Sequence, residues 1–387
     1  MRKLACLSGK IIFSILPRGK ESKIDLKKED NAKKIKKILI FKVGAIGDII
    51  MTTPFLRVLR KRFPKAEITY MTSNFCREVL VGNPNIDRIE TFDQNIFYKK
   101  NLKEASQLIK RVQKERYDIC FICDMHYMIN LLVYFFKIPI RIGFDRYGEG
   151  FPNTHNVSYT KVKHAIDYYL ELAYLTGARK LRDNSEKQPE ISISKKDELF
   201  AEKFLKQNSP DSAEKMKELI CVAIGGAKNP GQDMQTRKWP AEKFKELVDV
   251  LIKKGYPVLL LGNKDDNEII KKYGFDKKAV NAAGKTTIKQ CCALLKKCRF
   301  LITNDAGIMH MAEGMKTPTL SLFGVTDPRR KAPLATKEIP HAYIWKKPTL
   351  KGWNDDGVFH DFDKVTDINR ISVKEVMQKA EEMLKRE

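Results

Sequence analysis

The stretch Phe300-Leu301-Ile302-Thr303-Asn304-Asp305-Ala306-Gly307-Ile308-Met309-His310-Met311-Ala312-Glu313-Gly314-Met315 decides the architecture. Its apolar opening, residues 300–303, reads as a strand, residues 304–307 as a tight turn, and residues 308–315 as a helix ended by Gly314 and then Pro318. A helix that opens just past a buried strand aims its unbonded N–H groups and the positive end of its dipole at whatever lies there. That is an anion site, most often for phosphate. Gly307 admits a ligand close to the backbone, and His310 lies near the mouth of the first turn. A plainer reading of the same residues makes Asp305 the helix N-cap and His310 a packed side chain.

Outward from this stretch the text alternates between short apolar runs and helical segments from Lys37 onward, the pattern of α/β layering. Strands are expected at 38–41, 67–71 and 119–123. Helices are expected at 48–63, 102–114, 131–136 (apolar all round, hence buried) and 164–176. Residues 179–189 are polar and without rhythm, as a linker would be. Beyond them come strands at 219–224, 257–261 and 319–323, helices at 241–254 and 287–297, and a strongly charged helix at 373–386. Two parallel-sheet domains in succession place the expected ligand site in a cleft beyond the C-terminal ends of both sheets.

The length of 387 residues suits two domains, and 43% hydrophobic with 31% charged residues describes a globular protein. A net charge of +25 implies an anionic partner: nucleic acid, an acidic membrane face or a phosphorylated substrate. The bland alternative is a generally Lys-rich composition. No zinc finger, RNP-type aromatic motif or recognition helix accompanies the charge, so no nucleic acid is expected. Cys120 and Cys123 sit three apart on a strand and face opposite ways, which rules out shared metal ligation. Cys291 and Cys292 read as buried thiols of a cytosolic protein. No run reaches the roughly 18 apolar residues of a membrane span. Residues 1–40 hold twelve Lys or Arg against four Asp or Glu, which suits either a reversible hold on an anionic lipid surface or a solvated tail.

The first strand runs into Lys42-Val43-Gly44-Ala45-Ile46-Gly47-Asp48. Gly44 and Gly47 suggest a dinucleotide turn, but the third glycine and the acid after the second strand are missing, so no nicotinamide cofactor is expected. Asp48 opens a helix beside these glycines, as an inconsequential helix-start residue or as a general base on a rigid element. In the second half Gly225-Gly226-Ala227-Lys228 follows a strand, and Thr236-Arg237-Lys238-Trp239-Pro240 leads into a helix. A glycine-rich strand end with paired cations makes a diphosphate cradle, though Arg237 and Lys238 also read as surface charges. Lys285 and Thr286, after Gly284, could contact a nucleotide or merely turn the chain. Asp265-Asp266 and Asp355-Asp356 lie in polar stretches and read as solvated, so no metal site is expected.

Taken in order, Gly-Ala-Ile-Gly-Asp (44–48), Arg-Lys-Trp-Pro (237–240), Asn-Asp-Ala-Gly-Ile-Met-His (304–310) and Phe-Gly-Val-Thr-Asp-Pro (323–328) resemble glycosyltransferase family 9, the heptosyltransferases of lipopolysaccharide core synthesis. The resemblance runs from about Lys37 to Pro328. It implies a GT-B fold of two Rossmann-like domains facing across a cleft, and inverting, metal-independent transfer of heptose from an ADP-sugar to an anionic glycolipid. Under it, residues 1–36 are a basic amphipathic extension, 37–180 the N-terminal acceptor domain, 190–365 the C-terminal nucleotide-sugar domain, and 370–387 a terminal helix. Asp48 matches the family's proposed base, with Gly44 and Gly47 on the acceptor side. Arg237 stands where the family has a lysine on the diphosphate. Asp305, Gly307 and His310 match the donor loop, and Ala306 replaces a usual Ser or Thr. Gly225, Gly226, Lys238, Lys285 and Thr286 complete the expected donor side. The expected location is cytoplasmic, peripheral on the inner membrane face, and no cofactor is implied. A related transferase using another nucleotide sugar or acceptor, and a non-catalytic nucleotide-sugar binder, are the alternatives.

Overall fold

The computed structural model describes residues 24–98, 101–209, 214–226, 228–229, 232–349 and 367–385. Most of the expected basic extension (1–23) and the pair Asp355-Asp356 lie outside the described residues. The chain forms two compact units, one running to Ala45 and from Met51 to Arg182, the other comprising Ile46–Ile50 and everything from Asp183.

The first unit is built on β1 (Lys37–Phe41), β2 (Glu67–Ser73), β3 (Arg88–Phe92), β4 (Ile119–Ile122), β5 (Ile140–Asp145) and β6 (His155–Ser158). They form one sheet in the order β3-β2-β1-β4-β5-β6, and every pairing is parallel. Ile38, Leu39, Ile40 and Phe41 are all fully buried, the expected result when helices cover both faces of a parallel sheet. The order reverses between β1 and β4, which leaves a crevice beyond their C-terminal ends. There Asp124 accepts from the Val43 N–H at 2.8 Å and from the buried Lys42 ammonium at 2.6 Å, tying the two strand exits together.

The helix expected at 48–63 is two helices, Ile46–Ile50 and Thr53–Arg62. Pro54 explains the break: it has no N–H for the Ile50 carbonyl and is tolerated only in the first turn of the second helix. The helix expected at 131–136 runs over Tyr127–Phe135 instead, and it is not buried all round. Ile129 and Val133 are buried, but Met128 is 47% and Phe135 39% exposed. Residues 24–36, counted with the extension on sequence, are packed here. Leu26, Ala32 and Ile35 are buried, and Arg62 donates to the Leu26 and Lys27 carbonyls at 2.8 and 3.2 Å.

The second unit repeats the plan with β7 (Ile220–Ala223), the antiparallel pair β8 (Lys228–Asn229) and β9 (Gln232–Asp233), then β10 (Val258–Leu261), β11 (Val280–Asn281), β12 (Phe300–Asn304), β13 (Thr319–Phe323) and β14 (Ala342–Trp345). Its main sheet, in the order β11-β10-β7-β12-β13-β14, is again all parallel. The helix Val373–Leu384 is charged outside but puts Val376, Met377, Ala380 and Met383 into this unit's core beside Phe244, Leu247 and Leu251. Trp239, also buried there, donates its indole N–H to the Ile371 carbonyl at 2.9 Å. Each unit is thus a Rossmann-like α/β domain, and the fold belongs to the GT-B class. Among the described residues, no helix is long and apolar enough to cross a membrane.

Candidate functional site

The second sheet reverses its order between β7 and β12, so the loops leaving these two strands meet at one crevice. Asn304, the last residue of β12 and fully buried, joins them. Its amide nitrogen donates to the Ile224 and Gly225 carbonyls at 2.9 and 3.3 Å, and its amide oxygen accepts from the Trp239 N–H at 3.0 Å. One side chain therefore fixes the Gly225-Gly226 turn and the segment that carries Arg237.

Gly226 has φ +107°, a conformation that L side chains rarely adopt, and a Cβ there would fall 2.1 Å from the Ala306 Cβ. A Cβ on Gly225 would fall 1.9 Å from a carboxylate oxygen of Asp266. Asp266 is accordingly not solvated, as its polar surroundings suggested. It is buried, and its carboxylate accepts from the Asn263 N–H at 2.7 Å in a capping box that starts the helix Lys264–Tyr273.

Asp305 is buried and lies 3.4 Å from the Arg237 guanidinium. Among the described residues neither Asp305 Oδ2 nor Arg237 Nε has a hydrogen-bond partner, so this pair presents polar atoms that a ligand can satisfy. Asp305 is not the N-cap. Ala306 is, and it supplies no side-chain bond to the helix Gly307–Gly314. The Met309 N–H returns to the Ala306 carbonyl at 3.0 Å, which leaves the Gly307 and Ile308 N–H groups, without a partner among the described residues, for another acceptor.

His310, three residues into that helix, is buried, with Nδ1 3.1 Å from Glu313 Oε2. The fully buried Glu313 is held in turn by the Leu334 N–H at 2.8 Å. The short helix Ile46–Ile50 lies against His310: a Cβ on Gly47 would sit 2.6 Å from His310 Cδ2, and one on Gly307 would meet Ile46 at 3.5 Å. Next to Gly47, Asp48 pairs through Oδ1 with the Lys331 ammonium at 2.5 Å.

The structure thus brings together Gly47, Asp48, Gly225, Gly226, Arg237, Asp305, Ala306, Gly307 and His310 within the second unit. Lys238 faces elsewhere, lining a cavity of about 450 Å³ with Ile224, Trp239, Lys272 and Tyr273. Lys285 is exposed at the exit of β11, two strands from the reversal, and its ammonium donates to the Asn281 carbonyl at 2.8 Å. Thr286, half-buried, follows it. Gly44 stays in the first unit, packed against Phe75. Three participants were not singled out from sequence. Glu313 had a readable signal, its i, i+3 spacing from His310 on one helix face. Asn304 lay inside the quoted motif without an assigned role. Lys331 had none, being 283 residues from Asp48. Among the described residues, no three His, Cys, Asp or Glu side chains gather as metal ligands would.

Residues 105–352 match the family model described as glycosyltransferase family 9 (heptosyltransferase). The chain belongs to glycosyltransferase family 9. As a family 9 member it is a glycosyltransferase. It is 28% identical over 315 residues to lipopolysaccharide heptosyltransferase 2 of Salmonella typhimurium, covering 78% of this chain and 86% of that one. A family 9 glycosyltransferase structure from Veillonella parvula superposes with a TM-score of 0.74 at 23% identity, covering 94% of this chain and 99% of that one. The ADP-heptose lipopolysaccharide heptosyltransferase II of E. coli gives a TM-score of 0.66 at 23% identity, covering 90% and 98%.

Proposed function

We propose that this family 9 enzyme moves heptose from an ADP-heptose donor onto a lipopolysaccharide inner-core acceptor, with inversion and without a metal. The observation that carries the reading is the helix start at Ala306, an N-cap residue that supplies no side-chain bond, set beside the Gly225-Gly226 turn and the Arg237–Asp305 pair. Breaking the sugar–diphosphate bond leaves its electron pair on a diphosphate oxygen. Helix N–H groups and a guanidinium stabilise that charge as it grows. Asp48 takes the proton of the acceptor hydroxyl, whose oxygen attacks the anomeric carbon from the face opposite the leaving ADP, which inverts that centre. The named relatives, lipopolysaccharide heptosyltransferases, support the choice of sugar and acceptor.

The same reading places the enzyme on the anionic cytoplasmic face of the inner membrane, supported by the six Lys or Arg against one Glu in residues 1–23. Incubating the purified chain with ADP-, UDP- and GDP-sugars and a delipidated inner-core acceptor, with and without EDTA, tests the core of it. Transfer from ADP-heptose that survives EDTA is the expected result. Transfer only from another nucleotide sugar, or loss of transfer on chelation, overturns the corresponding part.

A further inference from the structure

We infer that Lys331 is a positioning residue for the reaction, orienting the Asp48 carboxylate through its contact with Oδ1. The inference rests on the reading of Asp48 as the base.

Both ends of the pair stand on fixed backbone. Lys331 closes the short helix Pro328–Lys331, which follows the buried run from Phe323 to Pro328. Asp327 starts that helix by accepting from the Arg329 N–H at 2.9 Å, and the Ala332 N–H returns to the Pro328 carbonyl at 2.7 Å. At the other end, Asp48 follows Gly47, whose missing side chain lets Ile46–Ile50 sit against His310. His310 itself is tied through Glu313 to the Leu334 N–H.

The pair is not a buried structural ion pair. The Lys331 and Asp48 side chains are 26% and 30% exposed, so the carboxylate is reachable by an acceptor while one of its oxygens is held. A partly exposed Lys–Asp contact adds little to stability, because ordering a four-carbon stem offsets the screened attraction. Its consequence here is geometric. With Oδ1 pinned by an ammonium on a short, capped helix, the plane of the carboxylate is set before the acceptor arrives, as a general base on a rigid element requires.

The test uses the full chain with Lys331→Met, Lys331→Gln, Lys331→Arg, Asp48→Asn and Asp48→Asn combined with Lys331→Met. Turnover of ADP-heptose, ADP affinity by calorimetry and the thermal midpoint are measured on each. Lys331→Met should lower kcat by about 10- to 100-fold, the scale of a small misplacement of a reacting group. The donor KM, the ADP affinity and the midpoint should stay where they are, and Lys331→Arg should recover most of the rate. In the Asp48→Asn background the lysine change should cost nothing further, because there is no longer a carboxylate to orient. Lys331→Gln carries the same expectation if the Met variant folds poorly.

An unchanged kcat in Lys331→Met overturns the inference, as does an equal further loss on top of Asp48→Asn. A weakened ADP affinity would make Lys331 a donor contact instead, and would overturn it too. Full turnover in Asp48→Asn alone, or no turnover of ADP-heptose by the unaltered chain, would defeat the underlying reading rather than the role of Lys331.

Discussion

Asn304 is the residue on which the site should be most sensitive without facing a ligand. Replacing it by alanine removes the acceptor of the Trp239 N–H and the donor shared by the Ile224 and Gly225 carbonyls. All of this happens at a fully buried position. A buried polar group left without its partner costs about 1–3 kcal/mol. Counting the Trp239 N–H in full, the 2.9 Å carbonyl contact in part and the 3.3 Å contact as weak gives a loss of about 3 kcal/mol. For a unit of this size that corresponds to a fall of about 6–12 °C in midpoint. Scanning calorimetry should show the loss in the transition of the second unit, and calorimetric titration should show weaker ADP binding, since Gly225-Gly226 and Arg237 both lose their anchor. Asn304→Asp makes the control. It keeps an acceptor for Trp239 but faces two carbonyls with a carboxylate, so it too should destabilise, and more so as pH rises and the carboxylate ionises. A midpoint within about 2 °C of the parent together with unchanged ADP affinity in Asn304→Ala would refute the clamp.

Asp48→Asn should keep ADP affinity and cut transfer by about two to four orders of magnitude, and near-normal turnover would reject the base. Arg237→Ala should weaken ADP binding by about 1.5–3 kcal/mol, roughly 10- to 150-fold, and calorimetry showing no change would move the diphosphate elsewhere. Gly47→Ala puts a methyl 2.6 Å from a histidine ring that Glu313 holds in place, so an overpacking cost of about 1–3 kcal/mol and a slower reaction are expected. An unchanged midpoint and rate would show that the ring gives way. Burial pushes the His341 imidazole down to about 4. The unfolded chain, with a histidine near 6.5, binds the proton first. This contribution is therefore present above about pH 6.5 and lost as pH falls towards 4, on the order of 3 kcal/mol. His341→Gln should flatten that part of the midpoint–pH curve, and an unaltered curve would contradict it.

The alternation of apolar runs with helical segments was enough to read α/β layering, because a parallel sheet covered on both faces needs near-continuous apolar strands such as Ile38 to Phe41 and Phe300 to Thr303. Strands without such a run did not announce themselves. In Arg88–Phe92 only Phe92 is buried, His155–Ser158 buries only Val157, and Val280–Asn281 is two residues long. Cysteine chemistry was legible as well. Burial pushes the Cys120 and Cys291 thiols well above their usual range, and both are free, as adjacent apolar neighbours imply.

Local spacing also placed Gly225, Gly226, Asp305 and Gly307 at strand exits, since turn chemistry and helix starts are written in neighbouring residues. What sequence left open was which of those exits coincide. Strand order belongs to pairing between segments tens of residues apart, and it alone set β7 beside β12, so that Asn304 could reach Ile224 and Trp239. Side-chain direction was equally out of reach. Arg237 and Lys238 are adjacent in the chain, yet one meets Asp305 and the other lines a different cavity. Asp266, in a polar stretch, is buried because Gly225 and Gly262 leave room for its side chain, and Asp48 meets Lys331 because packing, not spacing, brings a distant helix to it. Interactions a few residues long made the apolar strands, the longer helices and the chemistry at their ends legible in the sequence. Tertiary packing decided which ends meet and which polar atoms lose water, because those depend on contacts between residues far apart in the chain.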